Sequence, residues 1–386
     1  MSEWKECKLG DVGVVVTGKT PSSKSPSDFG NDIPFVTPTD YRNYHKAVSF
    51  AGRYLSFAGA EKLKNKILPP QSVMVTCIGS DMGKVAINSM PVVTNQQINS
   101  IISNISKVDP DFLYYKLVES YDVLRSYGLA GTAVPIVNKT DFEGVAVLLP
   151  PLPEQHAITG VLSSLDDKID LLHRQNKTLE GMARALWRKM FIEEADPGWK
   201  KGKLGNIADN VKNGVSAKNL RDHEHYVGLE HIERKHLALY NWGDAQDVES
   251  NKFKFERGDI LFGKLRAYFH KVCFAPVEGI CSTDILVIRP KQAEYFSFCL
   301  MWFFSEDVVN YSDASSGGTR MPRTNWETLA GYDIDIPDDV LLAGFNRRVK
   351  PLIDKIEQNV FSIRTLSRMR DALLPKLMSG EVRVKA

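Results

Sequence analysis

Two heptad stripes constrain this chain more than any other feature. Between Gln155 and Phe191, apolar residues fall at Ile158, Leu162, Leu165, Ile169, Leu172, Leu179, Ala183, Leu186 and Met190, with Asn176 as the one polar gap. The steps alternate four and three for about five heptads, which predicts a helix with a coiled-coil seam. Leu342 to Leu377 repeats the pattern at Phe345, Val349, Leu352, Ile356, Ile363, Leu366, Leu373 and Leu377, with Asn359 and Arg370 at the polar steps. Two helices with one phase can bury their stripes on each other. Antiparallel pairing is the expectation and would put the flanking domains at opposite ends; a parallel pair would put them side by side. A helix of this length spans roughly 54 Å, about 16 base pairs along B-DNA. A buried seam asparagine fixes register at a cost in stability, although a surface-turned Asn fits the same positions.

At 386 residues the chain exceeds one ordinary core, so two or more domains are expected. No apolar run approaches the ~20 residues of a membrane span. The charged opening Met1 to Lys8 lacks the apolar core of a signal peptide. Five scattered cysteines (Cys7, Cys77, Cys273, Cys281, Cys299) form no paired motif and read as free thiols of a cytoplasmic protein. A net charge of +2 means that any nucleic-acid binding needs its cations gathered on one face, or shared with a partner.

The chain is also a repeat. Trp4, Leu9 and Gly10 return as Trp199, Leu204 and Gly205. Gly131, Pro135, Asn138 and Pro150 return as Gly318, Pro322, Asn325 and Pro337, each 187 positions on. The first half shows short β-branched runs with a helix expected at Asp111–Ser126. The organisation expected is a globular domain at 1–150, a helix at 151–196, a second domain at 197–337 and a second helix at 338–386. Ser22–Phe50 and Val215–Gly243 differ most between the repeats, as divergent inserts on one scaffold would.

Gly13-Val14-Val15-Val16-Thr17-Gly18-Lys19-Thr20 matches the phosphate-loop pattern. Its three valines favour a strand, and Pro21 to Pro26 reads as a polar loop rather than a helix. A strand leading to a basic loop is the better reading, with Lys19, Thr20, Ser22, Ser23 and Lys24 reaching DNA phosphates or base edges. Lys212, Ser216, Lys218 and Arg221 mirror that loop in the second half. Lys264, Arg266, Tyr268 and Lys271 interleave cations with aromatics, and Arg266 could fork onto guanine; an amphipathic strand with solvated charges is the alternative. Arg320 and Arg323 lie in a Gly-Ser loop whose first-half equivalent carries Thr132 and Lys139. Arg42 and Lys84 complete the candidates. His223, His225, His231 and His236 lack a metal-binding frame, so no metal is expected. No adenine-methylation motif, dinucleotide fingerprint or catalytic triad emerges, and no catalytic residue is assigned.

These residues together resemble the specificity subunit of type I restriction–modification systems. The domain openings carry the resemblance, with Thr17 to Pro21, Leu149-Pro150-Pro151-Leu152-Pro153-Glu154-Gln155 entering the first helix, Gly263 to Arg266, Gly317 to Pro322, and Leu374 to Glu381 at the C-terminal end. Pro337-Asp338-Asp339 departs from the leucine–proline run before the second helix. The resemblance implies an α+β fold: a tandem duplication of a mixed target-recognition domain plus a long helix, the two helices pairing as an antiparallel coiled coil. It also implies a non-catalytic reader of a split site in double-stranded DNA. Its partners would be two methyltransferase subunits carrying S-adenosylmethionine and a restriction subunit, with no cofactor in this chain and no membrane. A coiled-coil scaffold without DNA reading and a nucleotide hydrolase are the alternatives.

Overall fold

The computed structural model describes residues 4–384 apart from positions 23, 44–45, 130–135, 217, 219–223, 248–249 and 316–321, and the backbone alone at 42–43, 127–129 and 247. The contacts divide the chain into two units: 1–170 with 366–386, and 171–365. Each long helix therefore contributes to both. No helix among the described residues is long and apolar enough to cross a membrane.

In the first unit, Lys5–Lys8 pairs antiparallel with Ala146–Leu149. A central sheet runs Gly13–Thr17, Ile98–Ser103, Val73–Thr76, Val85–Asn88, Ala47–Val48. A second sheet runs Phe29–Gly30, Tyr54–Leu55, Ile33–Val36, Val92–Thr94, Ile67–Leu68. The second unit repeats the plan. Lys200–Lys203 pairs with Asp333–Ile336, and Ala208–Asn210, Ile285–Pro290, Ile260–Gly263 and Val272–Phe274 form the central sheet. The parallel pair Val93↔Phe35 returns as Ile280↔Tyr226. The duplication read from the sequence is thus a duplication of topology.

The recurring residues have local physical jobs. Asn138 caps the helix Lys139–Gly144 by accepting from the Asp141 N–H, and Asn325 caps Trp326–Ala330 by accepting from the Thr328 N–H. Leu9 and Leu204 are fully buried. Beside Leu204, a Cβ on Gly205 would stand 3.0 Å from the Ala330 Cβ, so the glycine permits close packing. The helix expected at Asp111–Ser126 is broken instead. It forms as Pro110–Glu119 and Tyr121–Leu129, and at the break the Ser120 hydroxyl donates back to the Lys116 carbonyl at 2.8 Å.

The heptad stretches are single helices, Leu152–Arg188, extended by a π turn at Lys189–Glu193, and Asp339–Ser379. Asp338 caps the second by accepting from the Leu341 N–H, which is what the acidic pair does in place of the leucine–proline run. In the first unit Glu154 pairs with Arg383 and Asp166 with Arg370. In the second, Asn176 pairs with Asn359, and the Phe191 ring lies 4.9 Å from that of Phe345. Partner numbers fall from Arg383, just past the end of the second helix, to Phe345 as they rise along the first helix, so the helices run antiparallel within each unit. Ile158, Leu162, Ile169, Leu172, Val349, Ile356 and Ile363 are buried, and Leu165, Leu179, Leu186, Leu352, Leu366 and Leu373 half-buried. Full burial of one such side chain contributes about 1.5–3 kcal/mol.

Of the polar seam positions, Asn176 and Asn359 are buried and Arg370 half-buried, and all three are satisfied. Asn359 donates to Asn176 Oδ1 at 2.7 Å, and Asn176 donates to the Tyr240 hydroxyl at 2.9 Å. Arg370 reaches Asp166 at 2.8 Å, and the Tyr115 hydroxyl donates to the same carboxylate at 2.6 Å. Burial, then the neighbouring Asp166 charge, pushes the Tyr115 phenol up, so it stays a donor. Cys77, Cys273, Cys281 and Cys299 are buried and free, and burial pushes the Cys77 thiol up to about 11.

Candidate nucleic-acid interface

At one end of each central sheet, three chain segments meet in the same way. In the first unit the Cys77 N–H donates to the Gln97 carbonyl at 2.7 Å, and the Val137 N–H donates to the Cys77 carbonyl at 2.9 Å. In the second, the Lys264 N–H donates to the Asp284 carbonyl at 2.8 Å, and the Thr324 N–H donates to the Lys264 carbonyl at 3.1 Å. The bridge Ile78↔Ile136 recurs as Leu265↔Arg323. The framework is one, and the side chains it presents are two different sets.

The basic loop after Gly13–Thr17 is fastened to the first of these junctions. Gly13–Thr17 is a strand paired along Ile98–Ser103, and a polar loop follows it, so the chain makes no phosphate-cradling turn there. The Lys19 N–H donates to the Thr94 carbonyl at 2.9 Å, and the Thr20 hydroxyl donates to Gln96 Oε1 at 2.6 Å. Lys19 and Lys24 are exposed, and Ser22 Oγ accepts from the Lys24 N–H at 3.2 Å. Gly18 is required by close approach: a Cβ there would lie 2.2 Å from the Asn95 carbonyl oxygen. Gly18→Ala should therefore cost about 1–3 kcal/mol or more. A lowered melting midpoint for the first unit checks this, and an unchanged one would show that the loop yields freely.

The second junction is charged. Arg323 lies 3.2 Å from Asp284. Burial pulls the Lys264 ammonium down, the Asp284 carboxylate opposes this, and Arg323 and Lys212 add to it. Asp284 is therefore the carboxylate that both Arg323 and Lys264 face, with Lys212 a further cation near Lys264. Arg266 follows in a left-handed conformation, its guanidinium carbon 5.9 Å from the centre of the Phe269 ring. Tyr268 is exposed, its ring 4.6 Å from Phe269. The alternative of an amphipathic strand does not hold, because Ala267–Phe269 is a 3-10 turn.

The remaining candidates are held in other ways. Lys271 turns inward, donating to the Leu229 carbonyl, and burial pulls its ammonium down. Lys84 pairs with Asp81 at 2.6 Å, and Lys139 with Glu143 at 3.4 Å. Ser216 and Lys218 are exposed. Ser23, Thr132, Arg221 and Arg320 lie outside the described residues, as does the Arg42 side chain. Of the histidines, His231 Nδ1 accepts from the Gly228 N–H, and His236 pairs with Glu233 at 3.0 Å; His223 is outside the described residues. No grouping of His, Cys, Asp and Glu among the described residues could hold a metal. The sequence reading missed Gln96, Gln97 and Asp284. The polar run Asn95-Gln96-Gln97 between two apolar strands was a usable signal.

A family model described as the type I restriction modification DNA specificity domain matches residues 1–181 and 197–339. The chain is 28% identical to the type I restriction enzyme MjaIX specificity subunit of Methanocaldococcus jannaschii, over 99% of this chain and 94% of that one. It is 21% identical to the EcoDI specificity subunit of Escherichia coli, over 98% and 89%. The crystal structure of the S subunit of a type I restriction–modification system from M. genitalium matches with a TM-score of 0.59 at 15% identity, covering 97% of this chain and 96% of that one. That likeness establishes a shared fold.

Proposed function

We propose, from the premise that this chain belongs to the type I restriction modification DNA specificity family, that it reads a split site in double-stranded DNA. As a specificity chain it supplies recognition, and catalysis belongs to other subunits. Residues 1–150 and 197–337 would each read one half-site, and the long helices would set the unread gap. Two methyltransferase subunits would dock on the helices and bring S-adenosylmethionine and the reacting pocket, and a restriction subunit would complete cleavage. The assembly would work in the cytoplasm.

The observation that carries this reading is the repeated junction: one backbone arrangement presented twice with different side chains. A reader of two unlike half-sites needs that combination, because phosphate contacts position a protein while side chains at base edges specify. A scaffold without DNA reading has no use for exposed cations at both sheet ends. The modest net charge is compatible with phosphate contacts shared with the methyltransferase subunits.

The test is methylome mapping with this chain co-expressed beside the methyltransferase subunit encoded next to it. The expected result is a split motif with a fixed gap, lost when the chain is omitted. Removing one heptad from each helix at paired positions shortens the pair by about 10 Å and should shorten the gap by about three base pairs. No modification by a correctly assembled, active methyltransferase would favour the scaffold reading.

A further inference from the structure

The two junctions differ in chemistry at matched positions. Where the second unit has Lys264, Asp284 and Arg323, the first has Cys77, Gln97 and Ile136, each 187 residues earlier. The turn that leads into the central strand is the same in both. In the second unit the Ser282 hydroxyl accepts from the Asp284 N–H at 3.2 Å. In the first, the Asn95 side-chain oxygen accepts from the Gln97 N–H at 3.1 Å.

That last bond determines more than the turn. A backbone N–H can only donate, so it fixes which end of the Asn95 amide is oxygen. The Asn95 nitrogen must then be the donor to Gln97 Oε1, at 2.8 Å. This in turn fixes Gln97, whose Nε2 lies on the far side, 4.0 Å from where a Cβ on Gly79 would stand. Gln97 is half-buried with its amide oriented before any ligand arrives. Gln96 beside it is exposed, and its oxygen is held by Thr20. Each side-chain oxygen retains a second lone pair. A glutamine presented this way, donor outward and acceptor beside it, matches the N7 acceptor and N6 donor of adenine in the major groove.

Arg323 is oriented by the corresponding means. Its guanidinium is tied on one side to Asp284 at 3.2 Å while its side chain stays 60% exposed. The untied edge offers paired N–H donors, which match O6 and N7 of guanine.

We propose that these matched positions determine specificity: Gln97 reads an adenine in the half-site of the first unit, and Arg323, positioned by Asp284, reads a guanine in that of the second. The inference rests on the DNA-reading function proposed above and adds which residues read which bases.

The experiment selects duplexes from a randomised DNA pool with the full chain assembled with its methyltransferase subunit, for the wild type, Gln97→Ala, Gln97→Glu, Arg323→Ala and Asp284→Asn. The wild type should select a split consensus. Gln97→Ala should lose about tenfold or more of the preference for adenine at one position of one half-site, with the other half-site unchanged. The unchanged half also reports that the chain is folded. Gln97→Glu, which lacks the amide donor, should lose the same preference. Arg323→Ala should relax one guanine in the other half-site, and Asp284→Asn should relax the same guanine by less. If the wild type selects no consensus, the DNA-reading function itself fails. If the wild type selects one and the Gln97 and Arg323 variants leave it unaltered, that function stands and the residue assignment is overturned. Loss of all selection by both Gln97 variants would overturn it too, since the residue would then be structural.

Discussion

Asp166→Ala should lower the stability of the first unit by about 3–5 kcal/mol, a fall in melting temperature of roughly 6–20 °C for a unit of this size. Asp166 is buried in the seam and holds two partners, the Arg370 guanidinium at 2.8 Å and the Tyr115 hydroxyl at 2.6 Å. Truncating it leaves a guanidinium three-quarters removed from water with the exposed Asp371 carboxylate, at 2.8 Å, as its remaining counter-charge, and a buried hydroxyl without its 2.6 Å acceptor. The pair itself contributes far less than this loss, because burying both charges costs nearly what their attraction returns. A triple variant, Asp166→Leu with Arg370→Met and Tyr115→Phe, should therefore recover most of the stability. Calorimetry, with hydrogen exchange at the amides of 158–170 and 366–377, separates the two cases. Equal losses in the single and triple variants would show that the charged network stabilises the unit outright.

Replacing Lys19, Lys24, Lys212 and Lys218 together by alanine should leave stability nearly unchanged and weaken DNA binding severely. All four are exposed, and none has an ion-pair partner among the described residues. Each phosphate neutralised adds about 0.9 to the slope of log affinity against log salt. Four lost contacts flatten that slope by about 3.6, which amounts to three to four decades of affinity at 0.1 M salt if the two lines meet near 1 M. Lys84→Ala with Lys139→Ala is the control. Those ammoniums already face Asp81 and Glu143, so their removal should change the slope little. An unaltered slope in the quadruple variant would mean that the DNA lies on another face.

The helices were legible because a 3.5-residue stripe is itself a record of burial. Ile158, Leu162, Val349 and Ile356 are where that stripe puts them, and all four are buried. The partners of the polar seam positions were not legible. Asn176 meets Asn359 only because the helices run antiparallel, and Arg370 appeared as a fault in the stripe because its acid stands 204 positions away. The repeated Asn138 and Asn325 showed up as a recurrence, and their capping geometry gives the cause. At the sheet ends, charge and loop character pointed to Lys19, Lys264 and Arg323 but also to Lys271. Only tertiary pairing reveals that Lys271 points inward. Gln97 was passed over because a neutral amide in a turn attracts no notice until the bond from Asn95 orients it.

The first unit contains residues 366–386, and all of the second unit is translated before they are. At about 5–20 residues per second, a ribosome needs roughly 10–40 s to make what lies between. For that interval Ile158 and Leu162 have no Leu377 or Met378 to cover them. The first domain is thus closed by a segment that leaves the ribosome only after the whole second unit, and its newborn form carries an uncovered apolar stripe. Another nascent copy could offer its own C-terminal helix to that stripe. Folding yield should therefore fall with slower elongation and with higher chain concentration, whatever the stability of the finished molecule.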